Sequence, residues 1–165
     1  MFLIGQFNEE GGNNMTVREL LSVKGRQQIV SMESNQTVEK AIEEMNEQRV
    51  GAILVTDMGR TVGIFTERDV LRAYVATGKK PFSEVTLRDT MTADLLVAEE
   101  NDEIESVMSV MIEKSIRHLP VTDGAKKIIG MLSIRDVVKS QIKEFQSRLH
   151  YLKDYVSGMQ GGLWI

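Results

Sequence analysis

Cysteine is absent from this 165-residue chain, which has only two histidines and one tryptophan. Without cysteine there is no disulfide bond, no thiol nucleophile and no cysteine-ligated metal site. The two histidines, His118 and His150, form no metal-binding motif such as H-E-x-x-H. No apolar run is long enough to cross a bilayer, and the apolar N-terminal segment is too short for a signal peptide. We therefore expect a cytoplasmic protein with no membrane segment and no metal site.

A large excess of charge of either sign is also missing. Lysine and arginine total 20 and aspartate and glutamate total 24, which gives a net charge of −4. This balance argues against general binding to nucleic acid or to an anionic membrane. With 42% hydrophobic residues, the chain can form one domain or two small halves packed closely together.

The strongest positive signal is an internal repeat. The segment Gly63–Val70 (GIFTERDV) returns 67 residues later as Gly130–Val137 (GMLSIRDV). The apolar helix positions before it recur at a shift of 66, and the extra residue falls in a turn, where insertions are tolerated. Similarity at a fixed period indicates one supersecondary unit that is used twice.

Each copy predicts the order strand, helix, strand, strand, helix. The predicted strands are Gln28–Met32, Ala52–Thr56, Val62–Phe65, Leu95–Ala98, His118–Thr122 and Ile128–Leu132. A unit of about 60 residues is too small to bury a generous core alone, so the two copies are expected to pack together. The predicted divisions are a flexible leader (1–15), a first repeat (16–80), a second repeat (81–145) and a helical extension with a tail (146–165).

A hydroxyl and a carboxylate stand at one predicted helix start in each copy. Thr66-x-x-Asp69 and Ser133-x-x-Asp136 fit a capping box, and most such patterns only start helices. The alternative is a binding site. A glycine three residues earlier permits close approach, a helix start favours anions, and the aspartate could accept both hydroxyls of a ribose.

The duplicated signature G-h-h-[ST]-x-x-D-h and the segment Arg117–Val121 (RHLPV) resemble the cystathionine-β-synthase (CBS) domain, a module that occurs in tandem pairs. The resemblance covers about residues 16–145. It implies an α/β (α+β) fold of two β-α-β-β-α repeats packed by pseudo-twofold symmetry, often called a Bateman module. It also implies that an adenosine-containing ligand, such as AMP, ADP, ATP, NAD(H) or S-adenosylmethionine, binds in clefts between the copies. Two pairs commonly form a disc-shaped dimer that regulates another protein.

The resemblance further implies the residues of two clefts. In the main cleft, Asp136 would hold the ribose hydroxyls and Ser133 would contact ribose or phosphate. Arg117 and His118 would face the phosphates. The residues expected in the main cleft are Val30, Val50, Gly51, Arg117, His118, Met131, Ser133, Arg135 and Asp136. Those expected in the second cleft are Ile64, Thr66, Asp69, Leu96 and Ile116.

The two clefts are not expected to be equivalent. Where the second copy has Arg117-His118, the first copy has Gly51-Ala52. The main cleft is therefore predicted to be the stronger phosphate site, and the second cleft to be weaker, empty or suited to a less charged ligand. The alternative is that Arg117 and His118 only cover a sheet edge.

The C-terminal helix continues past the second repeat with an apolar seam. Its members are spaced 4, 3, 4, 3, 4, as in a heptad pattern with charged flanks, and they are Val138, Ile142, Phe145, Leu149, Leu152 and Val156. The helix is predicted over 134–157 and is expected to end at Gly158. It would either pair with a second subunit, which the narrow seam favours, or fold back on its own repeats.

These observations favour a regulatory adenosyl-ligand sensor of energy or redox state that acts as a homodimer on an unidentified protein. Alternatives are a ligand-free structural dimer and an S-adenosylmethionine sensor. An enzyme could use a carboxylate pair, but duplication explains Asp69 and Asp136 better than catalysis does. We therefore expect no catalytic residue and no catalytic cofactor. Nucleic-acid binding is a remote option because no aromatic and basic face is evident.

Overall fold

The computed structural model describes residues 2–3, 15–25 and 29–160. Within them the chain forms strands β1 Phe2–Leu3, β2 Ser31–Glu33, β3 Ala52–Asp57, β4 Arg60–Thr66, β5 Leu96–Glu99, β6 His118–Thr122 and β7 Ile128–Ser133. The helices are α1 Val17–Lys24, α2 Val38–Gln48, α3 Glu67–Ala76, α4 Leu87–Thr90, α5 Ile104–Glu113 and α6 Ile134–Gln160. One turn of 3-10 helix covers Phe82–Glu84.

The strands form two separate sheets, one for each repeat. The first sheet has the order β2-β3-β4, with β2 parallel and β4 antiparallel to β3. The second has the order β1-β5-β6-β7 and repeats that arrangement, with β1 added beside β5. Strand β3 is buried at its first four positions because both of its faces are covered, which explains its continuous apolar sequence. The predicted α/β fold of two repeats is confirmed.

Each repeat begins with a short helix that packs on the other repeat. Helix α1 places Val17 and Leu20 in the core of the second repeat, together with Ile104 and Leu132. The backbone N–H of Val17 donates to the carbonyl of Asp102 at 2.9 Å. The two halves therefore share their cores through an exchanged segment.

The same exchange occurs in the opposite direction. Leu87 of α4 lies in the core of the first repeat, and its backbone N–H donates to the carbonyl of Gln36 at 2.9 Å. A third apolar cluster joins the two sheets and includes Ala52, Ile64 and Val97. The exchanged helices and this shared cluster solve the problem that each repeat is too small to bury its own core.

The predicted strands of the two hairpins agree with the structure to within two residues at each end, and the lead-in strands are shifted. Strand β2 begins at Ser31, and Gln28 lies outside the described residues. The strand shifts toward the C-terminus because Ser31–Glu33 pair in register with Leu54–Thr56 of β3. Strand β5 is likewise shifted by one residue, to Leu96–Glu99.

The two ends of the chain differ in part from the predictions. In the predicted leader, Phe2–Leu3 form β1 beside β5, while residues 4–14 lie outside the described residues. Helix α6 continues through Gly158 to Gln160, so the expected stop at Gly158 is wrong. A glycine in an exposed helix costs only about 1 kcal/mol, which does not force an end. The predicted tail at 161–165 also lies outside the described residues.

Within residues 15–25 and 29–160, none of the helices combines the length and the apolar character that a bilayer crossing requires. The predicted cytoplasmic location stays a prediction.

Candidate functional site

A cavity of about 1150 Å³ lies between the two repeats. All nine residues expected in the main cleft line it, and they are Val30, Val50, Gly51, Arg117, His118, Met131, Ser133, Arg135 and Asp136. One wall is apolar and comes from α2 and the segments around it. The other carries the hydroxyl and carboxylate at the start of α6. The exchanged lead-in helix α1 closes one side with Lys24.

The hydroxyl and carboxylate pairs form capping interactions in both repeats. At the start of α3, the hydroxyl of Thr66 donates to Oδ2 of Asp69 at 2.7 Å, and the backbone N–H of Thr66 donates to the same oxygen at 2.9 Å. At the start of α6, the Ser133 hydroxyl donates to Oδ2 of Asp136 at 2.5 Å, and the N–H of Asp136 donates to the Ser133 hydroxyl oxygen at 3.3 Å. The structural interpretation of the motif is therefore confirmed in both copies.

The two aspartates nevertheless differ in what else they contact. The side chain of Asp69 is 4% exposed, and its Oδ1 accepts from Arg72 and from the Thr92 hydroxyl, each at 3.4 Å. Asp136 is more accessible, with 21% of its side chain exposed. The contacts from Lys24 and Ser133 all go to its Oδ2. Asp136 is therefore the better placed of the two to accept hydrogen bonds from a ligand.

Lys24 binds Asp136 across the cavity. Its Nζ lies 2.5 Å from Oδ2 of Asp136, and 26% of the lysine side chain is exposed. Burial opposes ionisation of Asp136, but the hydrogen bonds from Lys24 and Ser133 outweigh it and hold the pKa of the carboxyl below its usual value. Asp136 is thus ionised at neutral pH, as an acceptor of hydroxyl hydrogens must be.

Gly51 and His118 are complementary across the pseudo-twofold axis. A Cβ atom at Gly51 would lie 2.8 Å from Cε1 of His118, so only glycine leaves room for this imidazole. Burial lowers the pKa of His118, and the opposing effect of Glu67 does not cancel it. His118 is therefore uncharged at neutral pH in this structure, and its imidazole can donate a hydrogen bond to a ligand. That His118 faces the phosphates of a ligand stays a prediction.

The lowered pKa of His118 predicts a pH dependence of stability. Between the folded-state pKa and the usual value of about 6.5, the unfolded chain binds a proton that the folded chain does not. The free energy of unfolding should therefore fall as pH is lowered from about 7.5 to about 5.5.

Urea unfolding at several pH values measures this effect. His118→Gln should flatten the dependence, because it removes the buried imidazole whose pKa is lowered. Equal slopes in the wild type and in His118→Gln would contradict the prediction.

Charged residues give the main cavity an excess of positive charge. Four basic side chains line it, against the two carboxylates of Glu67 and Asp136, and the basic residues are Lys24, Arg49, Arg117 and Arg135. The sequence predicted Arg117 and Arg135 in this cleft but did not predict Lys24 or Arg49. Lys24 could not be found because nothing in the repeat indicates that α1 crosses to the other half. Arg49 ends α2 in a left-handed conformation, and no motif marks it.

A smaller cavity of about 170 Å³ lies at the start of α3. Four of the five residues expected in the second cleft line it, namely Ile64, Thr66, Asp69 and Ile116. Leu96 does not. It is partly buried against the core of the second repeat, because its strand β5 is central in that sheet. A role for Leu96 in the second cleft stays a prediction.

The difference between the clefts does not come from a lack of cations in the second one. Arg117 and His118 line both cavities, and Arg68, Arg72 and Lys114 also line the smaller one. The basis of the predicted asymmetry is thus revised. The two sites differ in volume and in how completely their aspartates are hydrogen-bonded, and the ranking of their phosphate affinities stays a prediction.

The first glycine of each repeated octapeptide has a structural role. A Cβ at Gly63 would lie 2.8 Å from the carbonyl oxygen of Thr92, and one at Gly130 would lie 3.0 Å from Cδ1 of Leu21. The segment that approaches each glycine is therefore part of the lead-in of the opposite repeat. These glycines leave room for the exchanged lead-in segments.

Two α/β repeats that exchange lead-in helices and enclose a cavity define a pseudo-symmetric repeat pair. No group of three or more potential metal ligands occurs among the described residues. The sequence profile of the CBS domain matches residues 17–76 and 85–143. The chain belongs to the CBS-domain family.

Known proteins similar to this chain support that assignment. The CBS domain-containing protein CBSX3, mitochondrial, of Arabidopsis thaliana is 31% identical over 161 residues, which cover 93% of this chain and 77% of that protein. The crystal structure of the CBS domain protein NE2398 matches with a TM-score of 0.72 and 36% identity over 78% of this chain and 98% of that one.

A more distant structure shares the fold. The CBS-domain pair of MJ0100, at 23% identity, matches with a TM-score of 0.67 over 79% of this chain and 98% of that one. That protein was solved in complex with 5′-methylthioadenosine and S-adenosyl-L-methionine.

Proposed function

We propose that this chain is a regulatory protein that binds an adenosine-containing ligand (AMP, ADP, ATP or NAD(H)) in the main cavity. The observation that carries the proposal is the arrangement of an ionised, partly exposed Asp136 at a helix start in a cavity with an apolar wall. The carboxylate suits ribose hydroxyls, the apolar wall suits a purine, and the basic side chains suit phosphates. A CBS-domain pair of the same fold holds adenosyl ligands, which supports the same class here.

The size of the cavity supports a ligand as large as a nucleotide. Small-molecule sites commonly enclose about 300–1,000 Å³. The main cavity, at about 1150 Å³, reaches that size, whereas the smaller one, at about 170 Å³, falls short of it. A third cavity of about 430 Å³ beside α1 also reaches that size but lacks the Ser133 and Asp136 pair, so we infer one principal ligand per chain, in the main cavity. Its occupancy would report energy or redox state to a protein partner.

A thermal-shift panel tests this function. AMP, ADP, ATP, NAD(H), S-adenosylmethionine and adenosine are compared at equal concentration. A ligand at a hundredfold excess over its dissociation constant should add about 2.7 kcal/mol of stability. A shift with S-adenosylmethionine alone would favour the sensor of that ligand. No shift with any compound would favour a ligand-free structural dimer and would contradict the proposal.

Helix α6 supports the proposal that the protein acts as a homodimer. The six seam side chains, from Val138 to Val156, are each between 41% and 63% exposed. The alternative in which the seam folds back on the repeats is therefore not what the structure shows. A narrow apolar seam on an exposed helix of 27 residues suits pairing with the same helix of a second copy.

Replacing Leu149 at the middle of the seam should break this dimer. Leu149→Asp would place a charge in the paired interface, so the variant is expected to be a monomer at micromolar concentration while the wild type is a dimer. Ser147→Asp is the matched control because Ser147 is exposed on the opposite side of the helical pattern. Light scattering measures the mass. A monomeric wild type, or a dimeric Leu149→Asp variant, would contradict pairing through α6.

A further inference from the structure

The smaller cavity at the start of α3 offers a ligand a different chemistry from the main cavity. Its volume of about 170 Å³ lies below the about 300 Å³ at which small-molecule sites commonly begin, so a whole nucleotide is too large for it. Its aspartate, Asp69, is 4% exposed, and both carboxylate oxygens accept hydrogen bonds within the protein. A ribose therefore finds neither the room nor the accessible carboxylate that the main cavity provides.

Basic side chains crowd this small volume. The smaller cavity has as many basic lining residues as the main cavity, and they are Arg68, Arg72, Lys114 and Arg117. The carboxylates of Glu67 and Asp69 also line it, which leaves an excess of two positive charges. The positive end of the α3 helix dipole lies at the same place. A small anion with two negative charges would balance this excess.

The contacts that these cations already make do not prevent them from binding an anion. Arg68 donates to a neutral acceptor, the carbonyl of Ser115, at 2.6 Å, so its charge is not cancelled there. Lys114 pairs with Glu113, but both side chains are more than half exposed, and exposed ion pairs are weak. A guanidinium has five N–H donors and an ammonium has three, so each can bind an oxyanion and keep its present partner.

The smaller cavity shares part of its wall with the main cavity. Arg117 and His118 line both cavities, together with Gly51 and Glu67. A phosphoryl group has therefore two possible sources, namely free phosphate in solution and the terminal phosphate of a nucleotide whose adenosine lies in the main cavity. Both sources present the same tetrahedral oxyanion to the same charged donors.

We propose that the smaller cavity is a binding site for a phosphate-class oxyanion, held by Arg68, Lys114 and Arg117. Asp69 keeps its structural contacts and takes no part in binding. Occupancy of this site changes the charge that Arg117 offers to the main cavity, so the two cavities are linked. Binding of free phosphate is independent of the proposed nucleotide function, whereas binding of a terminal phosphate rests on it.

Phosphorus NMR titration with inorganic phosphate, at an ionic strength held constant with chloride, tests the first source. The wild type should bind phosphate saturably. The double variant Arg68→Met/Lys114→Met should bind it at least about tenfold more weakly, because two charge-assisted contacts are lost. Both residues line the smaller cavity and not the main cavity.

The matched control removes the same charge elsewhere. Lys126→Met/Lys127→Met changes two exposed lysines in the turn between β6 and β7 that line neither cavity, so it should leave phosphate affinity unchanged. An equal loss in the control would show a general charge effect and overturn the site. Lys114→Met alone, at the exposed end of α5, should also weaken binding, and it keeps the test decisive if the double variant does not fold.

Calorimetry with AMP and ATP tests the second source. If the terminal phosphate of a nucleotide reaches the site, the wild type should prefer ATP to AMP, and Arg68→Met/Lys114→Met should lose that preference while keeping its affinity for AMP. Unchanged phosphate binding together with an unchanged ratio of ATP to AMP affinity in the folded double variant would overturn the inference and leave nucleotide binding in the main cavity intact. If the wild type binds neither nucleotide, the proposed function fails, and the phosphate titration alone decides this inference.

Discussion

Asp136→Ala is expected to lower the affinity for an adenosine nucleotide by about 10- to 100-fold. The physical reason is the loss of an ionised acceptor, because hydrogen bonds to charged groups contribute about 1.5–3 kcal/mol each. The variant also loses the hydrogen bonds that Oδ2 of Asp136 accepts from the Ser133 N–H and hydroxyl, which costs about 1 kcal/mol of stability. The Asp136→Ala variant should therefore fold but bind the nucleotide weakly. Calorimetry measures the affinity, and thermal unfolding measures the stability.

Asp69→Ala is the matched control because Asp69 holds the equivalent position in the first repeat. This aspartate is buried, and both of its oxygens are hydrogen-bonded within the protein. Its loss should lower the free energy of unfolding by about 1–3 kcal/mol, since buried partners are left unsatisfied, and should change nucleotide affinity little. Equal losses of affinity in the two variants would contradict the assignment of the main cavity to Asp136.

Leu87→Ala is expected to have the largest effect on folding. Leu87 is fully buried in the core of the first repeat, although it belongs to the second repeat in sequence. Large-to-small changes at such positions cost about 2–5 kcal/mol through lost burial and the cavity that remains. Urea unfolding measures this loss as a lower midpoint at an unchanged slope.

The control for Leu87 is a leucine of the same size at the surface. Leu71 on α3 is 71% exposed, so Leu71→Ala should change the free energy of unfolding by less than about 0.5 kcal/mol. A similarly small effect of Leu87→Ala would show that α4 does not complete the core of the first repeat, and the exchanged arrangement would then be wrong.

The repeat made most of the fold predictable from sequence. Two copies of a signature flanked by equivalent helix and strand patterns identify the elements, and the positions Ser133 and Asp136 follow from the signature. All nine residues expected in the main cleft line one cavity. They could be named because the family resemblance implies how the two repeats pack against each other. The binding roles of those residues stay predictions.

The exchange of the lead-in helices could not be predicted. Helix α1 is amphipathic and helix α4 has only one turn, so their sequences fit either repeat equally well. Only the tertiary contacts determine on which repeat each helix packs. Lys24 reaches the cavity only through that exchange, and for the same reason Gly63 and Gly130 were assigned to ligand access. The burial of the His118 imidazole beside Gly51 was likewise not predictable, because Gly51 belongs to the opposite repeat.

The most direct test of the central claim is a calorimetric titration of the wild type and Asp136→Ala with AMP, ADP, ATP and NAD(H). The main cavity is large enough for a nucleotide, and Asp136 is an accessible carboxylate at a helix start in it. We predict that at least one of these ligands saturates one site per chain in the wild type and binds Asp136→Ala at least about tenfold more weakly. No saturable binding, two equal sites per chain, or an unchanged affinity in Asp136→Ala would contradict this.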